Sequence, residues 1–217
     1  MTVFKTFKQS LVKYTTLQFV PKHNPVKSSD VDTFKKFLND YNDILVLTGA
    51  GISTESGIPD YRSEEVGLYA RSNNRPVQYQ DFVKKHQTRK RYWARNFVGW
   101  PKFSSVQPNV THFALAKLEN EYLKISSIVT QNVDNLHYKA GSQKVIELHG
   151  SAYRVKCINC NYEVSRQNFQ KVLENLNPSM KETSDFIRPD GDVELSDVSY
   201  MNFENYPPYF LVTEIFH

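Results

Sequence analysis

Cysteine is nearly missing from this chain: among 217 residues only Cys157 and Cys160 carry thiols, in the run Cys-Ile-Asn-Cys. A disulfide framework is thereby excluded, and the pair is half a metal site, a redox couple or incidental. A structural zinc takes four ligands, and the only histidine downstream of the pair is His217. Also missing is any apolar run of about 20 residues, so no membrane span is expected. Length and composition are those of a soluble globular protein able to bury a sizeable core. Internal repeats and low-complexity segments are absent as well.

Acidic side chains are missing from residues 1–29, which hold Lys5, Lys8, Lys13, Lys22 and Lys27. The net charge of +4 therefore comes from this segment, and the remainder carries 22 basic against 23 acidic residues. That balance gives no ground for a nucleic-acid partner, because the placement of charge matters more than its total. Phe4, Phe7, Leu11, Tyr14 and Leu17 recur at helical spacing among lysines and hydroxyl residues. An acid-free, hydroxyl-rich amphipathic helix is expected to be a mitochondrial presequence over residues 1–28, although arginine is lacking; the alternative is an ordinary disordered terminus.

What is present is a set of polar clusters, each hung on the end of an apolar run. Ile44–Leu47, Ile125–Val129 and Val145–Ile146 are short and rich in β-branched residues, which predicts buried strands of a parallel sheet. Helical patterns precede the first two runs: Val31, Phe34, Phe37, Leu38 and Tyr41 after a cap at Ser29 and Asp30, and Phe113, Ala114, Leu118 and Tyr122 after Pro108. Alternating helix and strand is the α/β signature. Arg89–Trp100 reads as a further helix whose arginines and aromatics pack over a site or cover the core. In an open α/β sheet, ligands sit beyond the carboxyl ends of the strands. There lie Leu-Thr-Gly-Ala-Gly-Ile-Ser at 47–53, Thr-Gln-Asn-Val-Asp-Asn at 130–135 and Glu-Leu-His-Gly at 147–150.

Gly49 and Gly51 predict a tight turn whose backbone N–H groups suit phosphate oxygens, or else a turn with only a structural role. The third glycine of the usual dinucleotide fingerprint is absent, with Thr54 in its place, and no acid lies about twenty residues beyond, which disfavours a standard dehydrogenase. Gln131, Asn132 and Asp134 offer two amides and a carboxylate for ribose hydroxyls and a carboxamide; Asp134 alternatively caps the next turn. His149 is the candidate general base, since an imidazole can take a proton near neutral pH.

Together, Gly-Ala-Gly-Ile-Ser…Gly-Ile-Pro-Asp-Tyr-Arg at 49–62, Thr-Gln-Asn-Val-Asp-Asn-Leu-His at 130–137 and Glu-Leu-His-Gly at 147–150 resemble the sirtuin family of NAD-dependent protein deacylases. The resemblance covers about residues 30–200, and the strings at 54–64 and 91–101 look like its mitochondrial sirtuin-4 branch. It implies a Rossmann-like α/β domain over 29–152 and a small zinc-ribbon-type inserted module over 153–200. It implies that NAD contacts Gly49, Ala50, Gly51, Ile52, Ser53, Ile58, Pro59, Asp60, Tyr61, Arg62, Gln131, Asn132, Val133, Asp134 and His149. Within that set, Ala50 and Gly51 would hold the diphosphate, Asp60 and the Ile58 backbone the nicotinamide carboxamide, and Asn132, Asp134 and His149 would be catalytic. The implied activity is removal of acyl groups such as lipoyl or biotinyl from lysines of mitochondrial matrix enzymes, or ADP-ribosyl transfer, with release of nicotinamide.

The family carries four zinc-binding cysteines, of which only Cys157 and Cys160 are matched here. Its pattern stops after about Tyr200, so 201–217 is expected to be a divergent tail and the parallel sheet to be incomplete at its C-terminal side. An incomplete sheet would leave an unpaired edge and an uncovered apolar face. The alternative function is thus a catalytically silent chain.

Overall fold

The computed structural model describes residues 17–72, 77–160 and 162–213. The periodic run Phe4–Tyr14 of the expected presequence lies outside them. Helix α1 (Ser28–Asp40) enters strand β1 (Ile44–Thr48), and a 3-10 turn over Ala50–Ser56 follows. Then come α2 (Leu68–Arg71), α3 (Tyr79–Lys84), the long α4 (His86–Ser105) and α5 (Val110–Asn120). Strand β2 (Ile125–Thr130), short α6 (Leu136–Lys139) and β3 (Val145–Glu147) complete the first sheet.

That sheet is parallel, in the order β1-β2-β3, as the β-branched runs predict. Its register pairs Thr48 with Thr130 and Thr130 with Glu147. The three strands therefore end level, and the clusters at 49, 131 and 148 emerge along one edge. This is the α/β arrangement expected from the sequence.

A second, antiparallel sheet has the order β5-β4-β6, from β4 (Arg154–Cys157), β5 (Glu163–Ser165) and β6 (Phe210–Val212). Helix α7 (Arg166–Leu176) follows β5, capped by Ser165, whose hydroxyl accepts the Asn168 N–H; α8 (Asp197–Met201) follows later. Residues 201–213 are not a loose appendage. Val212 pairs with Val155 and Phe210 with Cys157, and Phe203 and Val212 are buried in the main core. The expected boundary at residue 200 is thus no boundary in packing, because apolar side chains cross it.

Helix α4 is the spine. Tyr92, Trp93, Phe97, Trp100 and Phe103 bury their rings against Phe169 and Leu173 of α7, Val155 of β4 and Phe203. The Trp93 indole N–H donates to the Phe210 carbonyl at 3.0 Å, tying α4 to the small sheet. Gly99 permits a close crossing, since a Cβ there would stand 2.1 Å from the Gly191 carbonyl oxygen. Gly191 itself has φ of +83° and lies under the Phe103 ring.

The cap of α1 differs from expectation. Asp30 accepts the backbone N–H of Lys27 at 3.1 Å, so it caps from inside the first turn and the helix begins at Ser28. The helix is amphipathic as predicted, but its apolar face is bare: Phe34 is 57 % exposed and Phe37 44 %. The outer face of the parallel sheet is equally bare, with Leu45 and Leu47 at 61 % and 62 %. The expected uncovered face is present among the described residues.

Candidate functional site

The level strand ends create the site. Past Thr48 the chain turns at extended Gly49, runs through the 3-10 turn and leaves it at Gly57, whose φ of +92° lies in the left-handed region open to glycine. The turn buries Ser53 and Thr54. Above Gly49 and Gly51 there is open space, since a Cβ built at either meets no atom within 4 Å. Backbone at this turn can be approached closely.

Below the turn lies a compact polar triangle. The Ser53 hydroxyl donates to Asp134 Oδ2 at 2.6 Å, and Asn132 Nδ2 donates to Ser53 Oγ at 3.1 Å and to Asp134 Oδ2 at 3.2 Å. Asp134 Oδ1 accepts the Leu136 N–H at 2.9 Å. Asp134 thus bonds the first turn of α6, as the capping alternative expects, and also meets Ser53 and Asn132. Three donors compensate a carboxylate that is almost wholly out of water.

A cleft of about 910 Å³ opens over this triangle. It is lined by Ala50, Gly51, Ser53, Ile58, Asp60, Tyr61, Arg62, Gln131, Asn132, Val133, Asp134 and His149, which brings together most of the residues singled out from sequence. Gly49, Ile52 and Pro59 do not line it. Gly49 starts the turn, Ile52 turns its carbonyl toward the Asn109 amide at 2.7 Å, and Pro59 is buried in the loop. Asp60 is anchored locally: its carboxylate accepts the Ser63 N–H at 2.9 Å and bonds the Ser63 hydroxyl. Gln131 is exposed, and its N–H donates to the Thr48 carbonyl. His149 sits just beyond β3, where the Leu148 N–H donates to the Thr130 carbonyl.

The far wall was not legible. Tyr92 and Asn96 of α4, with Pro189, Asp190 and Asp192, also line the cleft. The aromatic and basic segment at 89–100 signals packing over a site, but nothing in the 189–192 run does. The Arg95 Nε donates to both carboxylate oxygens of Asp192 at 2.9 Å. Burial first, and the Asp192 charge second, push the Asp190 carboxyl up to about 6.

Cys157 and Cys160 lie away from the cleft, at the end of β4. The Asn159 N–H donates to Cys157 Sγ at 3.4 Å, and that bond, opposed by burial and aided by Cys160, holds the thiol below its ordinary value. Among the described residues no group of three or more His, Cys, Asp or Glu side chains can hold a metal, so these residues do not fit a four-ligand zinc site. Among the described residues, too, no helix is long and apolar enough to cross a membrane.

The chain can be set beside known proteins. A family model described as "Sir2 family" matches residues 49–193. "NAD-dependent protein deacylase Sirt4" of Drosophila melanogaster is 61 % identical over 82 % of this chain and 57 % of its own length. "NAD-dependent protein lipoamidase sirtuin-4, mitochondrial" of Homo sapiens is 50 % identical over 86 % and 59 %. A solved structure described as "Structural Basis for the Mechanism and Regulation of Sir2 Enzymes" superposes with a TM-score of 0.60 at 25 % identity, over 88 % of this chain and 65 % of that one. Another, described as "Sir2-p53 peptide-NAD+", gives 0.55 at 33 %, over 74 % and 62 %. The chain spans about six-tenths of the length of these curated relatives.

Proposed function

The chain belongs to the Sir2 family, and from that premise we propose that it binds NAD in the cleft and acts as a protein lysine deacylase that releases nicotinamide. The observation that carries this is the triangle of Ser53, Asn132 and Asp134 under the glycine turn, with His149 on the same cleft. The residues present fit NAD. The cleft volume is within the ~300–1,000 Å³ typical of small-molecule sites, and the backbone at Gly49 and Gly51 is open to a diphosphate. Gln131 and Asn132 supply amides, and Asp134 an acceptor, for ribose hydroxyls.

Bound NAD supplies a ribose carbon that gives up nicotinamide and accepts an acyl oxygen. The chain's own residues do the rest. Ser53 and Asn132 fix the Asp134 carboxylate, which keeps the ribose-facing edge rigid before anything binds. His149, at a half-exposed strand end, takes the proton from a ribose hydroxyl. Asp60, locked by Ser63, and the buried Ile58 shape the pocket for the carboxamide. Tyr61 and Arg62 also line the cleft.

The human relative, named a mitochondrial lipoamidase, supports a lipoyl-type acyl group on mitochondrial proteins as substrate; the reading extends this to the mitochondrial matrix as location, with residues 1–28 as its address. The same leaving-group chemistry with a protein side chain as acceptor gives ADP-ribosyl transfer. The domain division of 29–152 as nucleotide domain and 153–200 as small module accompanies this reading, with residues through Val212 added to the latter by packing. Among the described residues, Cys157 and Cys160 are two of the four ligands that a structural zinc takes.

A second reading, a chain that carries the site without turnover, is favoured by the bare outer face of the large sheet at Leu45 and Leu47. One experiment decides between them: nicotinamide release from NAD by the purified chain with a lipoyl-lysine peptide, with His149→Tyr beside it. Release that vanishes in the variant supports the enzyme. A folded, NAD-binding sample with no release supports the silent reading.

A further inference from the structure

Two buried histidines behind the cleft have no place in the chemistry above. His112 on α5 is fully buried and His137 on α6 is 2 % exposed, with ring centroids 5.0 Å apart and planes at 60°. Neither lines the cleft. Each is tied by one ring nitrogen to a chain of hydrogen bonds that ends in the site.

The first chain runs through Asn109, the cap of α5. Its Oδ1 accepts the N–H groups of Thr111 at 3.0 Å and His112 at 3.3 Å and lies 3.1 Å from His112 Nδ1, which in turn accepts the Asn109 backbone N–H at 3.4 Å. With the oxygen so engaged, the amide nitrogen has one direction left, and it donates to the Ile52 carbonyl in the glycine turn at 2.7 Å. The second chain starts at His137 Nε2, 2.9 Å from Thr48 Oγ1. The Thr48 hydroxyl donates to Thr130 Oγ1 at 2.9 Å, which also accepts the Asn132 N–H at 3.1 Å. Since Thr48 gives its proton to Thr130, its lone pair receives the Nε2–H of His137.

We propose that His112 and His137 are positioning residues that work as a neutral pair, one holding the Ala50–Ser56 turn through Asn109 and the other holding the Asn132 backbone through Thr48 and Thr130. The two ring nitrogens left over argue for neutrality. His112 Nε2 and His137 Nδ1 are buried with no hydrogen-bond partner among the described residues. Protonating both nitrogens of either ring would bury a cationic N–H without an acceptor, beside another imidazole. The surrounding charges do not remove this cost: Glu119 of α5 accepts the N–H groups of Gln143 and Lys144, Asp134 is taken up by the triangle, and Lys139 of α6 donates to the carbonyls of Ser104 and Val106. From strands β1 and β2 the Thr48 hydroxyl meets His137, backed by that of Thr130. Burial keeps both imidazoles below their ordinary value, with His112 at about 4.

The link to NAD affinity rests on the proposed function, but the positioning itself does not. The test is amide hydrogen exchange on the full chain, with NAD titration in parallel, for wild type, His137→Leu, His137→Gln and Thr130→Val. Glutamine keeps a nitrogen near the place of Nε2; leucine does not. His137→Leu and Thr130→Val are expected to speed exchange at Asn132 about tenfold and to weaken NAD binding by a similar factor, while strands β4 and β5 keep their protection. His137→Gln is expected within about threefold of wild type. Unchanged exchange at Asn132 in Thr130→Val, or equal loss in the leucine and glutamine variants, would overturn the proposal. Wild type that shows the exchange pattern yet binds no NAD would overturn the proposed function instead and leave the positioning role standing.

Discussion

The Asp134 carboxyl group lies where water barely reaches, and Ser53, Asn132 and the Leu136 N–H all point at it. Removing the carboxylate leaves those donors facing a hole. Asp134→Ala is expected to cost about 2–3 kcal/mol, read as a lower urea midpoint with an unchanged slope. The histidine pair gives this chain an acid limit. In the unfolded chain an imidazole takes a proton near its ordinary value of ~6.5, whereas His112 resists down to about 4. Between those values the unfolded state binds more protons, so this stability is complete above the upper value and is lost as the pH falls toward the lower one. Urea midpoints at neutral and mildly acidic pH check it, and His112→Leu is expected to flatten the slope between them.

At the scale of elements, the crossing of α4 over the 188–193 turn sets the far wall of the cleft. Any side chain at Gly99 strikes the Gly191 carbonyl, which is backbone and cannot swing away. Gly99→Ala is expected to destabilise by about 1–3 kcal/mol in a thermal melt, and to shift Asp190 and Asp192 out of the cleft. What was legible in the sequence follows the same division. Strands β1 and β2 were plain because β-branched runs repeat their pattern locally, and the clusters behind them fell into one site because the register ends all three strands together. The contact of Gly99 with Gly191 left no local mark, since neither residue's neighbours encode the other. Strand β6 leaves no sequence signal because three residues are too few to show alternation, and the bare face of α1 has the same pattern as a buried one, as periodicity does not say what a stripe meets.

For the whole molecule, the two bare apolar faces matter most. Leu45 and Leu47 on the sheet and Phe34 and Phe37 on α1 are each exposed, and large exposed apolar patches drive association. Replacing Leu45 and Leu47 with lysine is expected to lower the sedimentation-derived mass at high concentration. The melting temperature is expected to change little, because these side chains bury little area now.

The small sheet is assembled from distant parts of the chain. Strand β4 pairs on one side with β5, a few residues away, and on the other with β6, which arrives only after α7, the 188–193 turn and α8. Loop closure over such a distance is slow compared with local pairing. Refolding should therefore proceed in two kinetic steps: an early one that forms the parallel sheet and the β4–β5 hairpin, and a late one that docks β6 and quenches the fluorescence of Trp93, whose indole it binds.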